Sequence, residues 1–156
     1  MKKYSFSVLY SLIALGVLLM LFHFSGQNAT ISNGLSGRIT AKIFELFHYE
    51  YTAQELESLN LVIRKMAHFT LFFLLGFGLT GAIRGIKPSW AVPLAIVFGA
   101  GCAMCDEFHQ YFVQGRSASM YDVLLDSCGV IVGTFACYGL HKIWLLRKKQ
   151  KKERRE

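Results

Sequence analysis

Residues 5–24 read SFSVLYSLIALGVLLMLFHF, twenty positions without an Asp, Glu, Lys or Arg. A helix that crosses the hydrocarbon core of a bilayer needs about 20 such residues. Three further apolar runs follow. Met66 to Ile83 carries one ionisable group before its last positions, His68. Trp90 to Cys105 is shorter, but can extend as a helix into the polar residues after it. Met120 to Leu146 has Asp122 and Asp126 near its start. No ten-residue unit alternates polar with apolar, which argues against a membrane barrel. The expected fold is all-α: a four-helix transmembrane bundle forming a single domain over 1–156. Its spans are expected at about 5–24, 62–83, 89–110 and 120–146, with a basic tail over 147–156.

Composition agrees. The 156 residues are 53% hydrophobic and 17% charged, with mean hydropathy +0.37. A soluble domain averages about 25% charged residues. Lys2 and Lys3 before the first run also fit a signal peptide. That run is longer than a usual signal core, and no clear Ala-x-Ala site follows, so a retained span is expected.

Charge sets the expected orientation. Twelve of the 17 basic residues fall before span one, between spans two and three (Arg84 and Lys87), or from Lys142 onward. With four spans these places share one side, and the positive-inside rule makes it cytoplasmic. Eight of the ten acids fall on the other side or at the helix ends facing it. Both termini are thus expected on the cytoplasmic side of the membrane. The net charge of +7 needs no nucleic acid; the basic tail reads as a solvated stop-transfer segment or one lying against anionic lipid. Cys102, Cys105, Cys128 and Cys137 read as small buried hydrophobes, because no thioredoxin-like context surrounds the C-x-x-C. A disulfide between Cys105 and Cys128 stays open.

The long outer segment, 25–60, has its own pattern. Ser36 is placed to cap a short helix, and Ile39, Ile43, Leu46 and Phe47 then recur at helical spacing opposite Arg38, Lys42 and Glu45. This reads as an extracytoplasmic amphipathic helix on the outer leaflet. Thr52-x-x-Glu55 has the form of a capping box leading into span two.

With this topology the polar residues converge. Arg64, Lys65 and His68 lie at the outer end of span two. Asp106, Glu107, His109 and Gln110 end span three. Arg116, Asp122 and Asp126 open span four. Arg64 and His68 share a face at i, i+4, and Asp106 shares one with His109 and Gln110. Asp122, Asp126, Gly129 and Gly133 form one stripe, whose G-x-x-x-G permits close helix approach. Gly99 and Ala103 continue the Asp106 face in the same way. Ionisable groups within spans are rare and often mark function. A bland reading stands beside this one: Ser119-x-x-Asp122 as an ordinary N-cap, Arg64 and Lys65 as interfacial anchors, and the whole as a salt-bridge network. Three chemistries fit the group. It can bind a lipid phosphate or other anionic headgroup through Arg, Lys and His. It can perform acid–base work through Asp106, Glu107, His68 and His109. It can bind a divalent metal, though no standard ligand spacing supports that. No cofactor is otherwise expected.

The motifs resemble those of the VanZ-like family of small bacterial membrane proteins. Arg64-Lys65-Met66-Ala67-His68-Phe69 matches R-K-x-A-H-F. Asp106-Glu107-Phe108-His109-Gln110 with Phe112 and Gly115-Arg116 matches D-E-x-H-Q-x-F-x-P-G-R, with Gln114 where proline is usual. Asp122-Val123, Asp126 and Gly129 match its continuation, and Phe24-Ser25-x-Gln27 matches F-S-x-Q. The resemblance adds Ser25 and Gln27 to the candidate binding residues. It implies low-level resistance to glycopeptide antibiotics, teicoplanin above all, by a mechanism not defined for the family, in a Gram-positive envelope. Expected partners are membrane lipid and either a lipid-linked cell-wall precursor or a lipoglycopeptide. The alternative function is a membrane-embedded enzyme that modifies a lipid or lipid-linked envelope precursor through the Asp/Glu/His/Arg cluster.

Overall fold

The computed structural model describes residues 2–154, which form helices and turns without a strand among them. The helices are α1 (Lys2–Ser25), α2 (Ala29–Leu46), α3 (Ala53–Ile86), α4 (Ala91–Tyr111) and α5 (Met120–Glu153), with a 3₁₀ turn at Pro88–Trp90 between α3 and α4. The stretches within α1, α3, α4 and α5 are long and apolar enough to cross a membrane. At 34 residues, α3 and α5 are each about 50 Å long, well beyond a hydrocarbon core of about 30 Å. Both therefore extend past the expected spans, α3 by beginning at Ala53 and α5 by carrying the basic tail as helix.

Burial is inverted relative to a soluble protein. Leu12, Leu19, Phe22, Val97, Phe98 and Phe135 are all more than half exposed, a lateral surface suited to lipid. The interior is a narrow seam of Ala14, Val17, Leu21, Phe72, Leu75, Ala103 and Val130. This is the pattern of a multi-pass membrane protein, whose helices hold together by close packing of small residues. α3 and α5 meet along such a face. A Cβ on Gly129 would lie 2.7 Å from the Phe69 carbonyl oxygen, and one on Gly133 only 1.9 Å from that of Phe73. The expected G-x-x-x-G approach is therefore made, with α3 as its partner. Gly99 of α4 makes room for the Val130 side chain, whose Cγ1 lies 2.4 Å from where a Cβ would stand. At the opposite end from the polar residues, Ser7 Oγ donates to the Ala82 carbonyl at 2.7 Å and ties α1 to α3.

The capping box forms as expected. Glu55 N–H donates to Thr52 Oγ1 at 3.3 Å, and Thr52 N–H donates to Glu55 Oε2 at 2.8 Å. Two local expectations are corrected. α2 starts at Ala29, so Ser36 is not a cap. It sits mid-helix, donates to the Ser32 carbonyl at 2.8 Å, and is buried with Thr40. α2 thus packs through small hydroxyl residues, while Ile39, Leu46 and Phe47 point away from the bundle, at least half exposed. Cys105 and Cys128 are also exposed rather than buried, and all four cysteines are free.

Candidate functional site

The polar residues gather where α4 ends and α5 begins. After Tyr111 the chain turns, with Arg116 N–H donating to the Val113 carbonyl at 3.1 Å and Gly115 at φ 77°. That positive φ suits glycine at the third position of a type II turn, whose second position, here Gln114, commonly holds proline. The turn returns the chain so that α5 starts beside α4. Ser119 occupies the N-cap position, but its hydroxyl makes no capping bond. Glu107 makes the other bond of a capping box, from α4: Ser119 N–H donates to Glu107 Oε2 at 2.8 Å, as a Glu three residues into a helix does for its own N-cap. A carboxylate at a helix N-terminus is favoured by the helix dipole. Asp122, the other half of the expected cap, turns instead to form an ion pair with Lys65.

Deeper in, three helices contribute one group each. His68 of α3 presents Nδ1 at 3.8 Å from Asp106 Oδ2 of α4 and at 3.9 Å from Asp126 Oδ2 of α5. Both carboxylates are buried, Asp126 at 1% exposure. These separations are too long for hydrogen bonds, and Asp126 Oδ1 has no partner. Gln110 orients Asp106 by donating to its Oδ2 at 2.8 Å, and also reaches Ser25 Oγ at 3.4 Å. Ser25 is fully buried at the end of α1. A cavity of about 40 Å³ opens here, lined by Arg64, Lys65, His68, Glu107, Asp122 and Asp126 among others. That is room for a few waters or one ion with a ligand.

The cations form the rim. Arg64 donates to Asn33 Oδ1 of α2 at 2.9 Å. Arg116 donates to the Phe24 carbonyl at 3.2 Å, while its Nε and Nη1 are buried without a partner. Burial holds the Arg116 guanidinium below its usual range, and Arg64 adds to that, against Asp106 and Glu107. An arginine remains charged under such a shift.

Ten of the twelve expected residues thus lie in or against one group. Two do not. His109 leaves the carboxylates and packs on α1, stacked on Phe22 with centroids 5.0 Å apart and with Nε2 facing Gly26. At i+3 from Asp106 it falls on the side that α1 covers, whereas Gln110 at i+4 stays on the cluster face. Gln27 pairs with His23, at 3.3 Å between Nε2 atoms. Nothing in the sequence marks Asn33 as a partner of Arg64; only the Ser32, Ser36, Thr40 spacing on α2 hints that this helix reaches α3. Chemically the group can bind an anion at its rim, move a proton between buried carboxylates and His68, or hold a cation among His68, Asp106 and Asp126.

No curated protein and no solved structure matches the chain. The model of the VanZ/LLP1 family matches residues 7–145, a range that takes in the apolar helices and every member of this cluster, and the chain therefore belongs to the VanZ/LLP1 family.

Proposed function

We infer that the protein acts at the outer face of a bacterial cytoplasmic membrane, with both termini inside, and lowers susceptibility to glycopeptide antibiotics such as teicoplanin. The observation that carries this reading is the gathering of Arg64, Lys65 and Arg116 around buried carboxylates at one end of an apolar bundle. The positive-inside rule assigns that end to the outside, because Arg84, Lys87 and the basic end of α5 lie at the other. Glycopeptides act on that side. Guanidinium and ammonium groups there suit an anionic headgroup or the phosphates of a lipid-linked cell-wall precursor. Engaging that lipid, or keeping a lipophilic antibiotic out of the leaflet, lowers the antibiotic's access to its target. The test is teicoplanin susceptibility after deletion and after overexpression in the native host. Deletion is expected to raise susceptibility and overexpression to lower it. If neither changes it, the reading fails.

A second reading is favoured by the burial of Glu107 and Asp106 beside His68. These groups are those of an enzyme that modifies a lipid or lipid-linked substrate by acid–base chemistry. Glu107→Gln keeps the Ser119 acceptor but removes the proton carrier. Lipid profiles of cells making this variant should differ from wild type; identical profiles at equal protein level count against catalysis.

A further inference from the structure

We propose that His68, Asp106 and Asp126 form a binding site for one divalent first-row metal ion such as Zn²⁺ or Mn²⁺. The inference stands apart from the glycopeptide reading, since the geometry holds whatever the phenotype. One nitrogen and two carboxylate oxygens, each from a different helix, lie within 4.8 Å of one another. His68 Nδ1 lies 3.8 Å from Asp106 Oδ2 and 3.9 Å from Asp126 Oδ2, separations compatible with donors that share one ion at metal–nitrogen and metal–oxygen bonds of about 2.0–2.2 Å. They point at one another across gaps too wide for hydrogen bonds and too narrow for a further side chain.

A second observation points the same way. Asp126 is 1% exposed and lines the cavity, with Oδ1 bonded to nothing. A buried carboxylate without a partner is costly. Among the described residues, no lysine or arginine makes an ion pair with Asp126 or Asp106. Lys65 is taken by Asp122, Arg64 bonds Asn33, and Arg116 bonds the Phe24 carbonyl while its buried Nε and Nη1 reach neither carboxylate. A divalent cation supplies the missing charge at the point where the donor atoms converge.

The surroundings are those of a metal site. Gln110 Nε2 holds Asp106 Oδ2 at 2.8 Å, the orienting role that outer-shell groups play for metal-bound carboxylates. A mixed imidazole and carboxylate set suits Zn²⁺, Mn²⁺ or Fe²⁺ more than Mg²⁺, which prefers oxygen ligands and retained water. Three protein ligands, with a cavity of about 40 Å³ lined by His68 and Asp126, leave coordination positions for water or for an oxygen of a bound anion.

The test uses the full chain, purified in detergent with its affinity tag removed. It is equilibrated with Zn²⁺ or Mn²⁺, dialysed, and its metal content measured alongside thermal unfolding. Wild type should retain one equivalent and unfold at a higher temperature with metal. Asp126→Asn and His68→Gln should bind at least tenfold more weakly, while His141→Gln, at the other end of the bundle, retains the metal. Zinc X-ray absorption of the wild-type chain, which needs no variant, should report one imidazole with oxygen donors. Absence of retained metal in wild type overturns the proposal. So does full retention in both triad variants, or a shell containing sulfur, which would point to the cysteines.

Discussion

Gly133 of α5 lies against the backbone of Phe73 on α3, so close that a Cβ there would meet the Phe73 carbonyl oxygen at 1.9 Å. The contact sets how near α3 and α5 approach, and with it how His68 faces Asp126. Gly133→Ala should force the helices apart and cost about 1–3 kcal/mol, the usual penalty of overpacking. Gly129→Ala, with 2.7 Å of clearance to the Phe69 oxygen, should cost less. Gly101→Ala, which meets nothing within 4 Å, should not destabilise and should gain up to about 1 kcal/mol, because alanine is the better helix former. Thermal unfolding in detergent ranks the three.

Glu107 closes the N-terminus of α5 through the Ser119 N–H. Glu107→Leu leaves that donor unsatisfied and should cost about 1.5–3 kcal/mol, the range for a hydrogen bond to a charged group. Glu107→Gln keeps an acceptor oxygen and should cost about 1 kcal/mol or less. Hydrogen exchange in the first turn of α5 should speed up for the leucine variant alone.

The turn at Val113–Arg116 gives opposite expectations at adjacent positions. Gln114 occupies a place where a type II turn favours proline, so Gln114→Pro should stabilise by about 0.4–1 kcal/mol through the unfolded chain. Gly115 has φ 77°, and Gly115→Val should cost about 1–3 kcal/mol in backbone strain. Unfolding midpoints of the two variants should move in opposite directions.

Orientation has its own test. A reporter active only outside the cell should be silent when fused after Glu156 and active when inserted in the 47–52 connection between α2 and α3. The reverse pattern would put the cluster on the cytoplasmic side.

Much of this was legible in the sequence, for identifiable reasons. Apolar runs and the Gly129-x-x-x-Gly133 spacing report backbone-scale facts, and both hold in the bundle. The Thr52–Glu55 capping box is local, and it forms. What the sequence left hidden depends on neighbours. His109 and Gln110 are both near Asp106 on a helical wheel, yet only α1's position sends one to Phe22 and the other to the carboxylates. Ser119 reads as a side-chain cap, yet its hydroxyl makes no cap bond and its N–H is the group that is held, by Glu107 of another helix. On α2 the apolar stripe is the visible pattern, but Ser36 and Thr40 make the packed face, because small hydroxyl residues can satisfy themselves on the preceding turn and let helices approach.

A working site at the α4–α5 turn differs from a mere brace in what its loss does to the cell. The most direct test is teicoplanin susceptibility of the native host carrying Asp106→Asn or Lys65→Gln, with membrane protein level measured in the same cells. Susceptibility should rise to that of the deletion strain while the protein stays at its normal level. Wild-type susceptibility at normal protein level in both variants would contradict it.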